Sequence, residues 1–274
     1  MSLEKIKQII TKSSKPITKQ LLIEDLTNLG IHTGDIVIVH SSLSKLGYIV
    51  GGAVSVIDAL IESVGKDGTI VMPAFTYGNT EPSNWQCPPV PKEWWDILRE
   101  EIPAFDPVKM PTTSVGVIPE IFRKFPDVVR SYHPIGSFCA WGKYANEIVS
   151  VHRIDDMYGF DSPLGKLYQL GAKILLLGVD HDSNTSLHFA EWIANIPNFP
   201  KGKQSSNILQ NGEKIRVTWE EISYNSEDFV ELGRSYEKVV NYKPNYVGSA
   251  QSKLFLMKDL VDYAIPWFKN NRKY

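Results

Sequence analysis

Asp180, His181, Asp182, Asn184, His188 and Glu191 bring two imidazoles, three carboxylates and an amide into one short stretch of the chain. Asn184, His188 and Glu191 are spaced four and then three residues apart, so on a helix they share one face. A histidine held by a carboxylate is the usual general base, because its unperturbed pKa of about 6.5 lies near working pH. The carboxylate fixes the tautomer and stabilises the cation that forms. Asp182, from a loop, and Glu191, from a helix, are both placed to orient His188. The same residues allow a rival chemistry: His181, Asp182, His188 and Glu191, joined by His133, are ligand types for zinc, iron or manganese, although no strict H-E-x-x-H spacing is present. Cysteine catalysis is disfavoured, since Cys139 lies inside an apolar run and Cys87 sits among prolines.

The surrounding sequence predicts how this cluster is held. Ile174 to Leu177 is a branched apolar run, the pattern of a strand buried on both faces, and Gly178 ends it. Ser183 or Asn184 can cap a helix carrying Leu187, Ala190, Trp192 and Ile193. The cluster then lies at the carboxyl end of a strand, where open α/β sheets place ligands.

Upstream, Leu3 to Thr11 reads as a short amphipathic helix. Thr18 caps a second helix with Leu22, Leu26 and Leu29 buried and Gly30 at its end. Ile36 to Val39 reads as a buried strand ending in His40-Ser41-Ser42-Leu43. Gly51-Gly52 precedes a helix from about Ala53 to Val64, with Val54, Ile57, Leu60 and Ile61 on one face, and Thr69 to Met72 is another strand. Strand, helix and strand with short links make a βαβ unit with parallel strands.

Residues 79 to 111 hold seven prolines and three tryptophans. They predict a loop-rich insertion, a lid or a surface excursion, with a short helix around Trp94 to Glu100. Helices are expected around Ile118 to Phe125 and, capped by Ser162-Pro163, up to Gly171. Pro134 excludes helical geometry at His133. Asn211-Gly212 marks a hairpin spanning about 203–224. Pro244 to Gln251 reads as loop and Leu254 to Phe268 as a closing helix. The fold class expected is α/β, one domain over 1–274 with a central parallel or mixed sheet flanked by helices and an antiparallel hairpin near its end.

Composition narrows the functions. A net charge of −2 argues against a nucleic-acid or anionic-membrane surface. Apolar runs fall well short of the roughly 20 residues that span a bilayer, no leader pattern opens the chain, and two cysteines suit a reducing compartment. A cytoplasmic protein, monomeric or a homodimer, is expected.

Several stretches, in order, resemble the aminoglycoside 3-N-acetyltransferase family, in a bacillus-type form. They are GDIVIVHSSLSKLGYIVGGAVSVIDAL (34–60), DGTIVMPAF (67–75), PTTSVGVIPEIFR (111–123), RSYHPIGSFCAWG (130–142), DSPLGKL (161–167), LLLGVDHDSNTSLHFAE (176–191) and a GSAQSKLF-like tail (248–255). The resemblance implies acetyl-CoA as donor, the 3-amino group of a 2-deoxystreptamine aminoglycoside as acceptor, and direct transfer without an acyl-enzyme or a metal. It implies that His40, Ser41, Ser42 and Leu43, with Gly51 and Gly52, hold the pantetheine and phosphates, and that Thr112, Thr113, Ser114 and Val115 line the other side. His188, oriented by Glu191 or Asp182, is then the base, and Thr185 or a backbone N–H at the helix start is the oxyanion donor. The acceptor is expected to meet Asp180, His133, Tyr77 and Glu191, with acidic walls from Asp180, Asp182, Glu191 and the 93–101 loop. Three other readings remain open: a metal-dependent hydrolase, acetylation of a non-antibiotic amine or polyamine, and a coenzyme A or amine-binding protein without activity.

Overall fold

The computed structural model describes residues 3–13, 15–86 and 88–274, which leaves Cys87 outside. In chain order the elements are α1 (Leu3–Lys12), α2 (Lys19–Leu29), β1 (Ile36–Ser41), α3 (Gly52–Val64), β2 (Thr69–Pro73), α4 (Trp95–Glu101), α5 (Val117–Phe122), β3 (Val129–Arg130), β4 (Phe138–Gly142), α6 (Ala145–Val149), α7 (Pro163–Gln169), β5 (Lys173–Leu177), α8 (Ser186–Ala194), β6 (Lys201–Gln210), β7 (Glu213–Ile222), α9 (Phe229–Val239), β8 (Asn245–Val247), β9 (Ala250–Leu256) and α10 (Met257–Asn271). Seven strands form one sheet in the order β3-β4-β2-β1-β5-β9-β8, and β6 pairs with β7 as a separate hairpin.

The middle of the sheet is parallel. β1 runs parallel to β2 on one side and to β5 on the other, with His40 opposite Leu176, while β4 and β9 add antiparallel strands outside them. Along β1, Val37 and Val39 pack into one apolar core and Ile38 into a second on the opposite face. Burial on both faces is why these strands are continuous runs of Val, Ile and Leu rather than alternating ones. Residues of α2, α3 and α5 fill the first core, and residues of α6 to α10 the second. Because the chain leaves β1 for β2 on one side and later returns to β5 on the other, a crevice opens at the carboxyl ends of β1 and β5.

Local signals set several boundaries as expected. Thr18 Oγ1 accepts the Leu21 N–H at 3.3 Å and Ser162 Oγ accepts the Leu164 N–H at 3.2 Å, each capping its helix. Asn211 (φ 51°) and Gly212 (φ 84°) make the two-residue turn between β6 and β7, whose left-handed pair these residue types favour.

Other expectations are corrected. Leu254, Phe255 and Leu256 finish β9 instead of opening the closing helix, because they pair with β5 (Leu254 opposite Leu175). Two short strands occupy much of what reads as loop between Pro244 and Gln251. In α3 Val54 faces solvent, and Ala53, Val56, Ile57 and Leu60 face the core. The unforeseen α9 buries Phe229, Leu232, Gly233 and Tyr236, an i, i+3, i+4, i+7 stripe legible in principle.

The tryptophan-rich insertion is docked on the hairpin. Glu81 accepts from Arg99, Arg216 and Ser205, and Asn207 donates to the Arg99 and Ile102 carbonyls. Burial raises the Glu81 pKa, but those donors outweigh it and hold the carboxyl far below its usual range.

Candidate active site

A cleft of about 490 Å³ lies at the crevice between β1 and β5. The end of β1 gives it His40, Ser41 and Ser42, the chain after β2 gives Phe75 and Tyr77, the turn before α5 gives Ser114, Val115 and Gly116, and the approach to α8 gives Asp182 to Thr185 and His188. Ser114 holds a left-handed backbone (φ 62°), a conformation a non-glycine residue rarely adopts without supporting structure.

His188 stands on the first turn of α8, where its surroundings fix the ring. Nδ1 makes a short hydrogen bond to Glu191 Oε2 one helical turn on. The ring stacks on Tyr158 (5.1 Å between centroids, 9° between planes) and is flanked by Tyr224 at 5.2 Å and Phe229 at 4.8 Å. With Nδ1 occupied by a carboxylate, Nε2 is the nitrogen left to act in the cleft. Glu191 is fully buried, and its other oxygen accepts from Arg272 and from the Asn225 N–H at 3.1 Å. Arg272, just beyond α10, also pairs with Asp228. Burial opposes its charge, yet the Asp228 and Glu191 carboxylates outweigh that and raise its pKa. Glu191 is therefore the carboxylate in contact with the His188 ring. Asp182 is exposed on the cleft wall, and among the described residues its one side-chain contact within hydrogen-bond range is Ser183 Oγ at 3.4 Å.

The turn into α8 consumes its own backbone donors. Asn184 Oδ1 accepts the Ser186 N–H at 3.2 Å, as an Asx cap does, while the N–H groups of Thr185, Leu187 and His188 bond to the carbonyls of Ser183, Asn184 and Thr185. Within this turn those N–H groups are therefore engaged, and the Thr185 side chain lines the cleft beside His188. Other polar atoms stand ready beside it. His40 Nε2, Ser41 Oγ and Asn184 Nδ2 are buried at the cleft without a hydrogen-bond partner among the described residues. Burial, and then the neighbouring His188, push the His40 pKa down to about 3, so its imidazole is neutral.

Two extensions open from the cleft. One, of about 520 Å³, shares Ser42, Val179, Asp182 and Ser183 and carries Lys45 and Lys253 on its wall. The other, of about 370 Å³, shares Tyr77 and Ser114 and carries Trp85. Unpartnered buried polar atoms in the centre and the Lys45 ammonium along one end, where Lys253 is already paired with Asp180 and Glu237, suit a donor with a polar reactive head and a phosphate-bearing tail.

The remaining sequence-predicted residues lie elsewhere. Leu43 and Gly52 line a separate apolar groove with Ile6, Ile9 and Tyr48, and the Gly52 N–H is bonded to Ile49 O, so the double-glycine start of α3 presents no free cradle to the cleft. Gly51, N-cap of α3, is absent from the cleft lining as well. Thr112 and Thr113 brace the wall behind Ser114: Thr112 donates to Glu120, and Thr113 Oγ1 accepts the Tyr77 N–H. His133 is buried with both nitrogens engaged, Nδ1 by the Ile135 and Gly136 N–H groups and Nε2 by the Ile154 carbonyl, and its ring packs at a tilt against His152. It does not reach the cleft. Asp180 is tied to Lys253 at 2.6 Å, and the 93–101 carboxylates lie outside the cleft lining.

The metal-site expectation meets the same geometry. His181 is turned away from His188 onto Glu237 (2.9 Å). Donor atoms of Asp180, His181 and Glu237 converge, but Lys253 Nζ sits 2.6 Å from Asp180 and 2.7 Å from Glu237, so an ammonium already fills the cation position. Tyr158, Tyr224, Phe229, Asn225 and Arg272 complete the His188 environment and have no local sequence signal pointing there.

An imidazole–carboxylate pair thus lies beside a trough open at both ends, with no accessible thiol beside it among the described residues. Cys139 is buried, and burial, against nearby Arg130 and Arg123, pushes its thiol up to about 12. Comparison with known proteins supplies the family. The aminoglycoside 3-N-acetyltransferase family model matches residues 38–269, and the chain belongs to that family, an acetyltransferase family. It is 44% identical to the SPbeta prophage-derived aminoglycoside N(3')-acetyltransferase-like protein YokD of Bacillus subtilis over 97% of both chains. The crystal structure of YokD superposes with a TM-score of 0.94, covering 97% of this chain and 98% of that one. Aminoglycoside N(3)-acetyltransferase VII of Streptomyces paromomycinus is 34% identical over 95% of this chain and 94% of its own. The structure of AAC-IIIb in binary complex with CoASH, 28% identical, matches with a TM-score of 0.82 over 95% of this chain and all of that one. Among the described residues no helix is long and apolar enough to cross a membrane.

Proposed function

We propose that this enzyme transfers the acetyl group of acetyl-CoA directly to the 3-amino group of a 2-deoxystreptamine aminoglycoside, with His188 as general base. The observation that carries the reading is the His188 ring, clamped by Tyr158 and tied through Nδ1 to buried Glu191, so that Nε2 is left to the cleft. The relatives' names and the CoASH complex supply the donor and acceptor classes.

Acetyl-CoA brings an activated thioester and an anionic tail. Lys45 and Ser42, in the extension beyond the end of β1, are the groups that would hold the phosphates and direct the thioester toward His40, Ser41 and Asn184. The acceptor reacts as the neutral amine. As its nitrogen bonds to the thioester carbon and the carbon–sulfur bond breaks, one N–H proton passes to His188 Nε2. The imidazolium, stabilised by Glu191, returns that proton to the departing thiolate. The Thr185 hydroxyl donates to the carbonyl oxygen as charge gathers on it.

The test is thiol release from acetyl-CoA with a deoxystreptamine acceptor, the acetylated position located by NMR and the intact enzyme mass followed with acetyl-CoA alone. The expected result is acetylation at N3 and an unchanged enzyme mass. An acetylated enzyme, or acetyl on a different nitrogen, would overturn the scheme.

A further inference from the structure

The walls that meet the acceptor are poor in negative charge. Among the described residues lining the cleft, Asp182 is the one carboxylate. The extension that shares Tyr77 and Ser114 is lined by Asn84, Trp85, Gln86 and other uncharged residues. Of the acids packed closest to these walls, Glu81 is paired with Arg99 and Arg216, and Asp180 with Lys253. Trp85 is held in place, its Nε1 donating to Thr80 Oγ1 at 2.7 Å.

A site of this composition recognises a sugar by stacking on an aromatic face and by hydrogen bonds to hydroxyls. An ammonium brought into it loses hydration and gains no counter-charge, and attraction to the indole face alone does not replace that hydration. In deoxystreptamine antibiotics the ring on C4 lies next to the 3-amine, and with the donor in the extension that carries Lys45, the arm left for that ring is the one lined by Tyr77 and Trp85.

Resting on the acetyltransferase reading, we infer that this annexe is the subsite for the C4-linked ring and that it selects a hydroxyl-bearing ring over an ammonium-bearing one. Paromomycin and neomycin, which differ by one hydroxyl-for-amine exchange on that ring, are the matched probes. The expected result is a kcat/KM about ten-fold higher for paromomycin, the size of one lost polar contact. Trp85→Ala is expected to raise the paromomycin KM about ten-fold, with the acetyl-CoA KM unchanged, and Trp85→Phe, which keeps an aromatic face, to recover most of that loss. Preference for neomycin, or an unchanged acceptor KM in Trp85→Ala, overturns the subsite and leaves the base mechanism standing. Absence of turnover with both antibiotics in the unmodified enzyme overturns the aminoglycoside acceptor of the proposed function, and the subsite with it.

Discussion

Replacing Glu191 with glutamine tests the orientation of His188 more sharply than deleting the side chain. In the native enzyme one Glu191 oxygen accepts from two donors, Arg272 and the Asn225 N–H, and the other faces His188 Nδ1. A glutamine must place its carbonyl oxygen toward the two donors, since its NH₂ there would face N–H groups. The NH₂ then points at His188 Nδ1 and donates to it, which forces the ring proton onto Nε2. The nitrogen facing the cleft is now protonated in the neutral ring and cannot accept a proton from the amine. A carboxamide in place of the orienting carboxylate costs on the order of 10⁴ in kcat in the serine-protease triad, and a loss of about 10³ to 10⁴ is expected here. The assay is steady-state thiol release over pH 6 to 9, with ¹⁵N chemical shifts of the His188 ring reporting the tautomer. A Glu191→Gln enzyme within about ten-fold of native kcat, or one whose ring proton stays on Nδ1, would refute the reasoning, since tenfold is only about 1.4 kcal/mol of barrier.

Arg272→Leu removes the cation from a buried carboxylate; breaking such a pair costs about 3–5 kcal/mol, and a melting temperature lower by roughly 10 °C is the expected reading by calorimetry. Thr185→Val removes the proposed oxyanion donor and is expected to lower kcat about 10²- to 10³-fold while the acceptor KM stays within a factor of two (about 0.4 kcal/mol); an unchanged kcat would transfer that role elsewhere. Burial holds His133 down to about 4, below its unfolded value, so as pH falls from 6.5 toward 4 the unfolded chain takes up a proton the fold refuses, and stability drops by about 3 kcal/mol from this group. Burial raises Glu221 to about 7, so its contribution runs the other way and is lost as pH rises from 4.5 through 7. The urea midpoint should fall between pH 6.5 and 4, and Glu221→Gln should steepen that fall.

The sequence carried the βαβ unit, the parallel centre and the His188–Glu191 pair because each rests on local spacing: branched apolar runs, cap residues and an i, i+3 interval on one helix. It failed where distance in the chain decides. Arg272 meets Glu191 across 81 positions, and Tyr158 and Tyr224 reach His188 from two different loops. Asp182 and Glu191 were equivalent by spacing; burial and Arg272 separate them. His181 and His133 are reasonable ligand or substrate types in sequence, but one is drawn under α9 onto Glu237 and the other packs against His152 in the interior. Gly51-Gly52 read as an anion cradle, whereas the Gly52 N–H is already bonded to Ile49 O. Leu254 to Leu256 suit helix and strand equally by composition, and only pairing with β5 decides between them.

The central claim is that the nitrogen of His188 facing the cleft takes the acceptor's proton. The direct test is kcat for His188→Ala, with acetyl-CoA binding followed in parallel by calorimetry. Loss of a general base costs about 10² to 10⁴ in rate, so the account predicts a fall of that size with acetyl-CoA affinity retained. Turnover at the native rate in the alanine enzyme would contradict it.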